Sequence, residues 1–342
     1  MENTVSDFDK LTPDLVIEAV ESALDIDLTN YTQPMPSYIN RVYELKAEDE
    51  QYYIAKFYRP GRWTHSALLE EHRFVLDCDA DDIPVASPLP LRGLVDSDDA
   101  PTLGMIEGIP FAVFPRKGGR LWEAESYDYW LRIGRLLGRL HNTGAKRESK
   151  HRITLSSDQS FLTDIQSLMS SDWIHPDLKE EVGFNVGRLE KLVCSLFDEY
   201  GSNKDQYIRV HGDFHSGNIL DRPGEGLYLM DFDDMAVSLP IQDLWLLLPD
   251  YAPESGAEAA AIIEGYREFR AFNTETLMLV EPLRAMRMIY FLCWCGKQKN
   301  DFRFQHSFPD WGGKAFWQKE IQDLSNQHDQ IRRAVEEQIL LP

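Results

Sequence analysis

The stretch VHGDFHSGNILDRPGEGLYLMDFD, residues 210–233, decides how the rest of the chain is interpreted. It opens with an apolar residue, after which four polar side chains fall within eight positions: His211, Asp213, His215 and Asn218. A β-like run, Leu227 to Met230, follows and ends in Asp231-Phe232-Asp233. Two short apolar strands that each deliver a carboxylate at their end would bring two acids and an amide to one point in space.

The spacing of these residues is that of a kinase catalytic loop. In such a loop one Asp accepts the proton of the attacking hydroxyl, an Asn binds a metal ion, and a second Asp after the next strand bridges the metal to ATP. Here Asp213, Asn218 and Asp231 occupy those positions. An isolated His-Gly-Asp would indicate only a turn, but the complete series is much harder to obtain by chance.

A metal-dependent hydrolase is the alternative for the same stretch. His211, Asp213 and His215 alternate along the chain and would be metal ligands on one face of a strand. Gly212 and Gly217 favour a loop over a strand at this place, and no further His-rich motif supports a metal centre. The kinase interpretation is therefore preferred.

Composition limits the possible partners. The chain has 342 residues, which fits one large domain or two lobes, and its 43% hydrophobic content allows a sizeable core. The formal net charge is −22, so nucleic acid and anionic membranes are not expected as partners, because both require a basic surface. The acidic excess would suit a cationic substrate, although solubility explains it as well.

Cysteine usage and the N-terminus indicate a cytoplasmic protein. The four cysteines lack any paired C-x-x-C motif and are typical of reduced core residues. The N-terminal sequence is acidic and shows no signal peptide. The longest apolar run, Met288 to Cys295, is too short to cross a bilayer. We expect a monomer that acts in the cytoplasm.

The N-terminal part of the chain predicts a nucleotide site on a hairpin. Two β-like runs, Tyr38–Leu45 and Tyr52–Tyr58, flank an acidic turn, and the second run carries Lys56. A Lys in such a run is often an edge charge that faces water. In a kinase the same pattern places the ammonium on the ATP phosphates, and a Glu on a later helix holds it.

A helix capped by Thr64 and extending to about Asp77 contains two candidates for that acid, Glu70 and Glu71. Glu71 is preferred because helical spacing places it beside Leu68 and Val75 on the packed face. The remaining possibility is that both glutamates are solvated helix charges.

A lobe boundary is predicted where the strands give way to helices. A second hairpin, Thr102–Ile106 and Ile109–Phe114, runs into a Pro/Gly segment after Pro115. We therefore divide the chain into an N-terminal nucleotide-binding lobe, 1–115, and a C-terminal catalytic and substrate lobe, 116–342. The latter contains helical patterns around five stretches: 126–144, 177–200, 258–272, 275–295 and 313–340. In the first of these, Ser126 is the expected cap, and one face carries Ile133, Leu136, Leu137 and Leu140. Asp243 is either a plain first-turn acid or a brace for the catalytic loop backbone.

Six motifs resemble the aminoglycoside phosphotransferase and choline kinase branch of the protein-kinase-like superfamily: NRVYEL, AKFYRPGRW, EEHRF, HGDFHSGNIL, MDFDD and QDLWLLL. Within this branch they are similar to a family of bacterial Ser/Thr protein kinases that are linked to stress. The resemblance implies an α+β, two-lobed fold with a small antiparallel sheet in the first lobe and a mainly helical second lobe. It also implies that Asp213 is the catalytic base, that Asn218 and Asp231 bind Mg²⁺, and that Ser37 lies at the ATP site.

The chain departs from ordinary protein kinases at two places. No G-x-G-x-x-G motif covers the phosphates, since Pro36 to Arg41 occupy that position, and no A-P-E sequence marks an activation loop. The resemblance implies transfer of the γ-phosphoryl group of ATP to a protein Ser or Thr hydroxyl, and this is the function that we expect. Two alternatives remain: a kinase acting on a small hydroxylated amine, and a non-catalytic pseudokinase. The second is disfavoured because neither Lys56 nor Asp231 is missing.

Overall fold

A computed structural model describes residues 7–37, 39–92, 101–124 and 126–337 of the chain. Contacts divide it into two compact units. The first comprises Met1–Trp122 and Gly217–Asp233, and the second comprises Glu123–Ser216 and Asp234–Pro342. The fold is mixed α+β, as the sequence predicted.

The strands, in chain order, are β1 (Leu28–Met35), β2 (Arg41–Ala47), β3 (Tyr52–Phe57), β4 (Gly104–Ile106), β5 (Ile109–Pro115), β6 (Arg120–Leu121), β7 (Ile208–Val210), β8 (Ile219–Arg222), β9 (Gly226–Leu229) and β10 (Ala236–Ser238). The helices are α1 (Pro13–Leu24), α2 (His65–Ala80), α3 (Tyr127–Gly144), α4 (Leu162–Ser170), α5 (Lys179–Tyr200), α6 (Ile241–Trp245), α7 (Gly256–Arg267), α8 (Val280–Gln298), α9 (Phe302–Ser307) and α10 (Lys314–Glu336). None of the helices in the described ranges has both the length and the apolar composition needed to cross a bilayer.

An antiparallel sheet in the order β1-β2-β3-β5-β4 forms the core of the first unit. Both predicted hairpins are present, with Arg41 opposite Phe57 in one and Ile106 opposite Ile109 in the other. Side chains alternate between buried and half-buried along β2, as expected for a sheet with one face against the core. α1 packs its apolar face, which includes Val16 and Val20, into that core.

Side-chain caps fix the start of both helices of the first unit. Thr12 accepts a hydrogen bond from the Leu15 N–H (3.2 Å), and Thr64 accepts one from the Ala67 N–H (3.2 Å). Such caps satisfy backbone donors that have no partner inside the helix. The sequence predicted the cap at Thr64. Ser126 occupies the predicted cap position of α3, but its side chain makes no capping bond there.

A segment from the middle of the chain returns to the first unit. β8 pairs with β6 and β9, and the Trp122 N–H donates to the Ile219 carbonyl (2.9 Å). β9 is tied in further, since the Leu229 N–H donates to the Pro84 carbonyl (2.8 Å). The predicted division after Pro115 did not anticipate this return, because the pairing joins residues about a hundred positions apart.

Helices dominate the second unit. α3 buries the predicted apolar face, which consists of Ile133, Leu136, Leu137 and Leu140. It lies directly against α7, since a Cβ added to Gly134 would be 2.1 Å from the Ile262 carbonyl oxygen. The other predicted helices begin or end within a few residues of α5, α7, α8 and α10. α8 differs most, because a 3-10 turn at Thr274–Leu279 replaces its predicted first part.

Candidate active site

A glycine fixes the turn that follows β7. Gly212 has φ +84°, and a Cβ there would lie 1.9 Å from the Asp234 carbonyl oxygen. Only glycine accommodates both the left-handed backbone and this close approach. The next residue, Asp213, is the predicted base, so the turn determines where its side chain begins.

Asp243 braces this turn from α6. Its buried carboxylate accepts hydrogen bonds from the N–H groups of His211 (2.7 Å) and Gly212 (2.8 Å). The bracing role, one of the two predicted for Asp243, is confirmed. Nε2 of His141 lies 3.1 Å from the same carboxylate. His141 lies near the end of α3 and was not identified from the sequence. The sequence shows only that it falls on the apolar face of that helix.

The carboxylate of Asp213 is held on both of its oxygens. Nη2 of Arg287, on α8, donates to Oδ1 at 2.8 Å, and Nε2 of His215 lies 3.3 Å from Oδ2. Burial raises the pKa of Asp213, but the hydrogen bond with His215 and the charge of Arg287 together bring it well below its ordinary value. The group is therefore a carboxylate at neutral pH. Arg287 was not anticipated from the sequence.

The β8–β9 hairpin sets Asn218 and Asp231 at the same end of the first unit's small sheet. Ile219 pairs with Leu229, and the Met230 N–H donates to the Asn218 carbonyl (3.1 Å), which extends the ladder by one step. Asp231 follows at once, with φ +61° and a half-exposed side chain. A non-glycine residue in this backbone region is uncommon and often marks a functional position.

Lys56 lies beside these residues on the central part of the first sheet. It pairs with Val42 on β2 and Ala112 on β5, so it is not an edge charge. Its Nζ lies 2.7 Å from Oδ1 of Asp231 and 3.7 Å from Oδ1 of Asp233. The ammonium is almost fully buried, and such a charge requires carboxylate partners.

Asp233 is fixed by two residues that the sequence analysis did not identify. Asn40 donates to its carboxylate from Nδ2 (3.2 Å), and the guanidinium of Arg62 forms an ion pair with it. Asp233 is buried, whereas Asp231 is exposed for about half of its side chain. Asp233 is thus anchored within the unit, while Asp231 presents its carboxylate to the solvent side.

Glu71 occupies the buried face of α2, and Glu70 is half-buried. The Tyr58 hydroxyl lies 3.3 Å from Oε1 of Glu71. Among the described residues, the carboxylates at ion-pair distance from Lys56 are those of Asp231 and Asp233. A pairing between Lys56 and Glu71 therefore stays a prediction.

Ser37, which the family resemblance implies at the ATP site, is half-buried in the segment that connects β1 to β2. The following residue, Tyr38, lies outside the described residues. Asn40, from the same segment, is the one that reaches Asp233, so this connection contributes to the site without any glycine motif.

Asn218 and Asp231 supply an amide oxygen and a carboxylate at one end of the hairpin. Hard oxygen ligands of this kind are those that Mg²⁺ prefers, usually with one or two carboxylates and the remaining positions filled by substrate and water. Within the described ranges, no cluster of three or more His, Cys, Asp or Glu side chains forms a self-sufficient metal centre.

A buried lysine paired with a carboxylate after a β-hairpin, and a braced His-Gly-Asp turn in a helical unit, define a kinase-like phosphotransferase. The chain belongs to the phosphotransferase enzyme family, whose model matches residues 32–278. It is an enzyme of the transferase class, and the family resemblance inferred from its motifs is confirmed.

Two curated relatives match nearly the whole chain. The chain is 36% identical over 318 residues to stress response kinase A of Escherichia coli (strain K12), and the alignment covers 93% of this chain and 92% of the relative. The chain is 34% identical over 321 residues to the serine/threonine protein kinase RdoA of Salmonella typhimurium, and the alignment covers 94% of this chain and 93% of the relative.

Solved structures with the same fold belong to kinases of small molecules. An amicoumacin kinase in complex with AMP-PNP, Ca²⁺ and Ami has a TM-score of 0.70 at 18% identity, covering 97% of this chain and 96% of that one. A microcompartment-associated aminopropanol kinase has a TM-score of 0.68 at 17% identity, covering 97% and 99%. These similarities establish the kinase-like fold.

Proposed function

We propose that this protein is a cytoplasmic Ser/Thr protein kinase that transfers the γ-phosphoryl group of ATP to protein hydroxyls in a stress response. The observation that carries the proposal is the hairpin that sets Asn218 beside Asp231, with Lys56 2.7 Å from the latter. The names of relatives that match over 90% of the chain support the protein acceptor and the stress role.

Each site residue has a role in this proposal. Lys56 contacts the α- and β-phosphates, Glu71 holds Lys56, and Ser37 lies at the ATP site. Asn218 and Asp231 would hold Mg²⁺, which would neutralise charge on the transferred group. AMP-PNP and Ca²⁺ in the related amicoumacin kinase support the use of a nucleotide and a divalent ion.

Asp213 orients the acceptor hydroxyl and takes its proton. Phosphoryl transfer passes through a loose transition state, so positioning contributes more than basicity. A carboxylate whose pKa lies below its ordinary value remains ionised and accepts the proton late in the reaction. The braced turn at Gly212 and the bonds to both carboxylate oxygens suit this positioning role.

Replacing the base tests the proposal. Asp213→Ala should lower the transfer of label from radiolabelled ATP by about 10²–10⁴-fold, the usual contribution of such a group. Binding of MgATP, measured as thermal stabilisation, should persist in this variant and be lost in Asp231→Asn. Unchanged turnover in Asp213→Ala would remove the base assignment. Thermal stabilisation by MgATP without any turnover in the wild type would instead identify a pseudokinase.

A small-molecule kinase is the second candidate, favoured by one observation. Two of the structures that share the fold are those of an amicoumacin kinase and an aminopropanol kinase. Incubation with labelled ATP alone, with lysate proteins and with a panel of amino alcohols and amino sugars separates the two functions. Label on metabolites only would contradict the protein-kinase proposal.

A further inference from the structure

An arginine on α8 reaches the proposed base. Arg287 donates from Nη2 to Oδ1 of Asp213 at 2.8 Å, while His215 occupies Oδ2 and His211 accepts from the Asp213 N–H (3.3 Å). The bond to Asp213 uses one of five guanidinium N–H donors, and the Arg287 side chain keeps 44% of its accessible surface. The guanidinium therefore has donors left for a second partner.

α8 is rigidly anchored, so that Arg287 has a defined position. The buried Glu281 accepts from the Ala252 N–H (2.8 Å) and from Nε2 of Gln327 (2.8 Å). Arg284 bonds the same carboxylate (3.1 Å) and lies over the Trp245 ring, 5.2 Å from its centroid. These contacts connect α8 to α6 and α10.

α6 also carries the acid that braces the Gly212 backbone. Asp243 fixes the main chain of the turn, and Arg287 fixes the side chain that the turn presents. The two supports come from helices that are joined to each other by the contact between Arg284 and Trp245. Asp243 therefore fixes the backbone just before Asp213, and Arg287 fixes the Asp213 carboxylate. The two helices that supply these residues are in contact with each other.

The face of α8 that contains Arg287 has an unusual charge for this chain. The protein carries a net charge of −22, yet Glu281 is the only acidic residue in Val280–Gln298, and it is buried. Tyr290 and Phe291, three and four residues after Arg287, are exposed and follow it on the same face. The surface next to Asp213 on this helix is therefore cationic and aromatic.

We propose that Arg287 is a positioning and specificity-determining residue, which fixes the Asp213 carboxylate and selects acceptor hydroxyls that have an acidic group beside them. This inference rests on the proposed function of Asp213. A carboxylate on the acceptor would pair with the remaining guanidinium donors. An ammonium at that place would meet like charge, which costs affinity and specificity.

The test uses acceptors that differ only in the charge next to the hydroxyl. These are Ser peptides flanked by Glu or by Lys and, as small molecules, a hydroxy acid and an amino alcohol of equal length. The variants are Arg287→Met, Arg287→Lys and Arg287→Glu. Lys297→Met, at an exposed position of the same helix, is the control that removes one positive charge elsewhere.

The wild type and Lys297→Met should prefer the acidic acceptor, by about tenfold in kcat/KM. Arg287→Met should abolish the preference and lower kcat on the order of tenfold to a hundredfold, the usual effect of a misplaced catalytic group, with the KM for ATP unchanged. Arg287→Lys should restore part of kcat, and Arg287→Glu should favour the cationic acceptor. A merely structural role would not invert the acceptor preference.

The inference is overturned if the wild type prefers cationic acceptors, or if Arg287→Met and Arg287→Glu keep the wild-type preference. Asp213→Ala, assayed in parallel, separates this failure from that of the proposed function. If Asp213→Ala is inactive while the Arg287 variants behave as the wild type, only the role of Arg287 is wrong. If Asp213→Ala is fully active, the proposed base is wrong and with it any role for Arg287 beside it.

Discussion

Both carboxylate oxygens of Asp243 accept hydrogen bonds from buried donors, so stability and activity should respond to its substitution. It accepts from the His211 and Gly212 N–H groups and contacts His141. Asp243→Asn keeps the shape but offers one acceptor oxygen and turns an NH₂ group toward a backbone donor. We expect a loss of about 1–3 kcal/mol in the free energy of unfolding and a fall in kcat that exceeds the change in KM.

Urea unfolding and steady-state kinetics measure both effects for Asp243→Asn. Asp250→Asn is the matched control, since that exposed carboxylate accepts only from the neighbouring Tyr251 N–H (2.8 Å) and should leave both quantities nearly unchanged. If Asp243→Asn were as stable as the wild type, the two hydrogen bonds to the backbone would make no net contribution to the free energy of unfolding.

The sequence predicted the site residues unevenly, for a physical reason. The spacing of Asp213, Asn218 and Asp231 is local, because a turn and a hairpin of fixed length relate these residues. The partners that hold the acids come from far along the chain. Arg287 is 74 residues from Asp213, and Arg62 is 171 residues from Asp233. No local pattern identifies such pairs, since a surface arginine and a buried one look alike in sequence.

Between elements of the second unit, α3 and α7 lie in close contact. A Cβ at Gly134 would lie 2.1 Å from the Ile262 carbonyl oxygen, so Gly134→Ala forces the two helix backbones apart. We expect a loss of about 1–3 kcal/mol in the free energy of unfolding, typical of overpacking. Thermal and urea unfolding measure it.

The control is Gly187→Ala in α5, where no atom of the described residues, apart from the adjacent backbone of the same helix, lies within 4 Å of the added methyl group. That substitution should stabilise the protein by up to about 1 kcal/mol, because Ala is the better helix former. Two Gly→Ala changes in helices are thus expected to have opposite signs. Equal effects would show that the helices adjust to the extra methyl group without cost.

A buried acid in α4 predicts how stability depends on pH. Burial raises the pKa of Asp164 from 3.8 to about 6, although the nearby Lys297 opposes this. Between these two values the folded state binds more protons than the unfolded state, so the unfolding free energy falls as pH rises through this window. Asp164→Asn should be more stable than the wild type above pH 6, by about 1–3 kcal/mol, and should match it below about pH 4.

Urea midpoints at a series of pH values test this. The exposed Asp205→Asn serves as the control and should follow the wild-type curve. A parallel pH dependence for Asp164→Asn and the wild type would contradict the raised pKa of Asp164.

Elements with strong periodicity were predicted well, and elements shaped by distant contacts were not. α3 shows the apolar face that its spacing indicated, since that face packs locally against one neighbour. β1 was not predicted, because its sequence LTNYTQPM is polar and mostly exposed, and only pairing with β2 makes it a strand. β6 has two residues and exists through its pairing with β8.

At the scale of the whole chain, the sequence did not predict which segments belong to which unit. The change from strands to helices after Pro115 is visible in the composition, but the return of Gly217–Asp233 to the first unit is not. That return carries Asn218 and Asp231 into the unit that contains Lys56. The segment that carries the family motifs therefore also makes the first unit discontinuous in sequence.

The net charge of −22 gives a prediction for the molecule as a whole. Like charges repel one another in the compact state, and salt screens this repulsion over a Debye length of about 10 Å at 0.1 M. At pH 7 the urea midpoint should therefore rise as NaCl increases from about 10 to about 150 mM. Near pH 5, close to the isoelectric point of about 4.8, the net charge is small and the rise should vanish. Screening of surface ion pairs acts in the opposite direction, so a midpoint that falls with salt at both pH values would show that ion pairs outweigh the net repulsion.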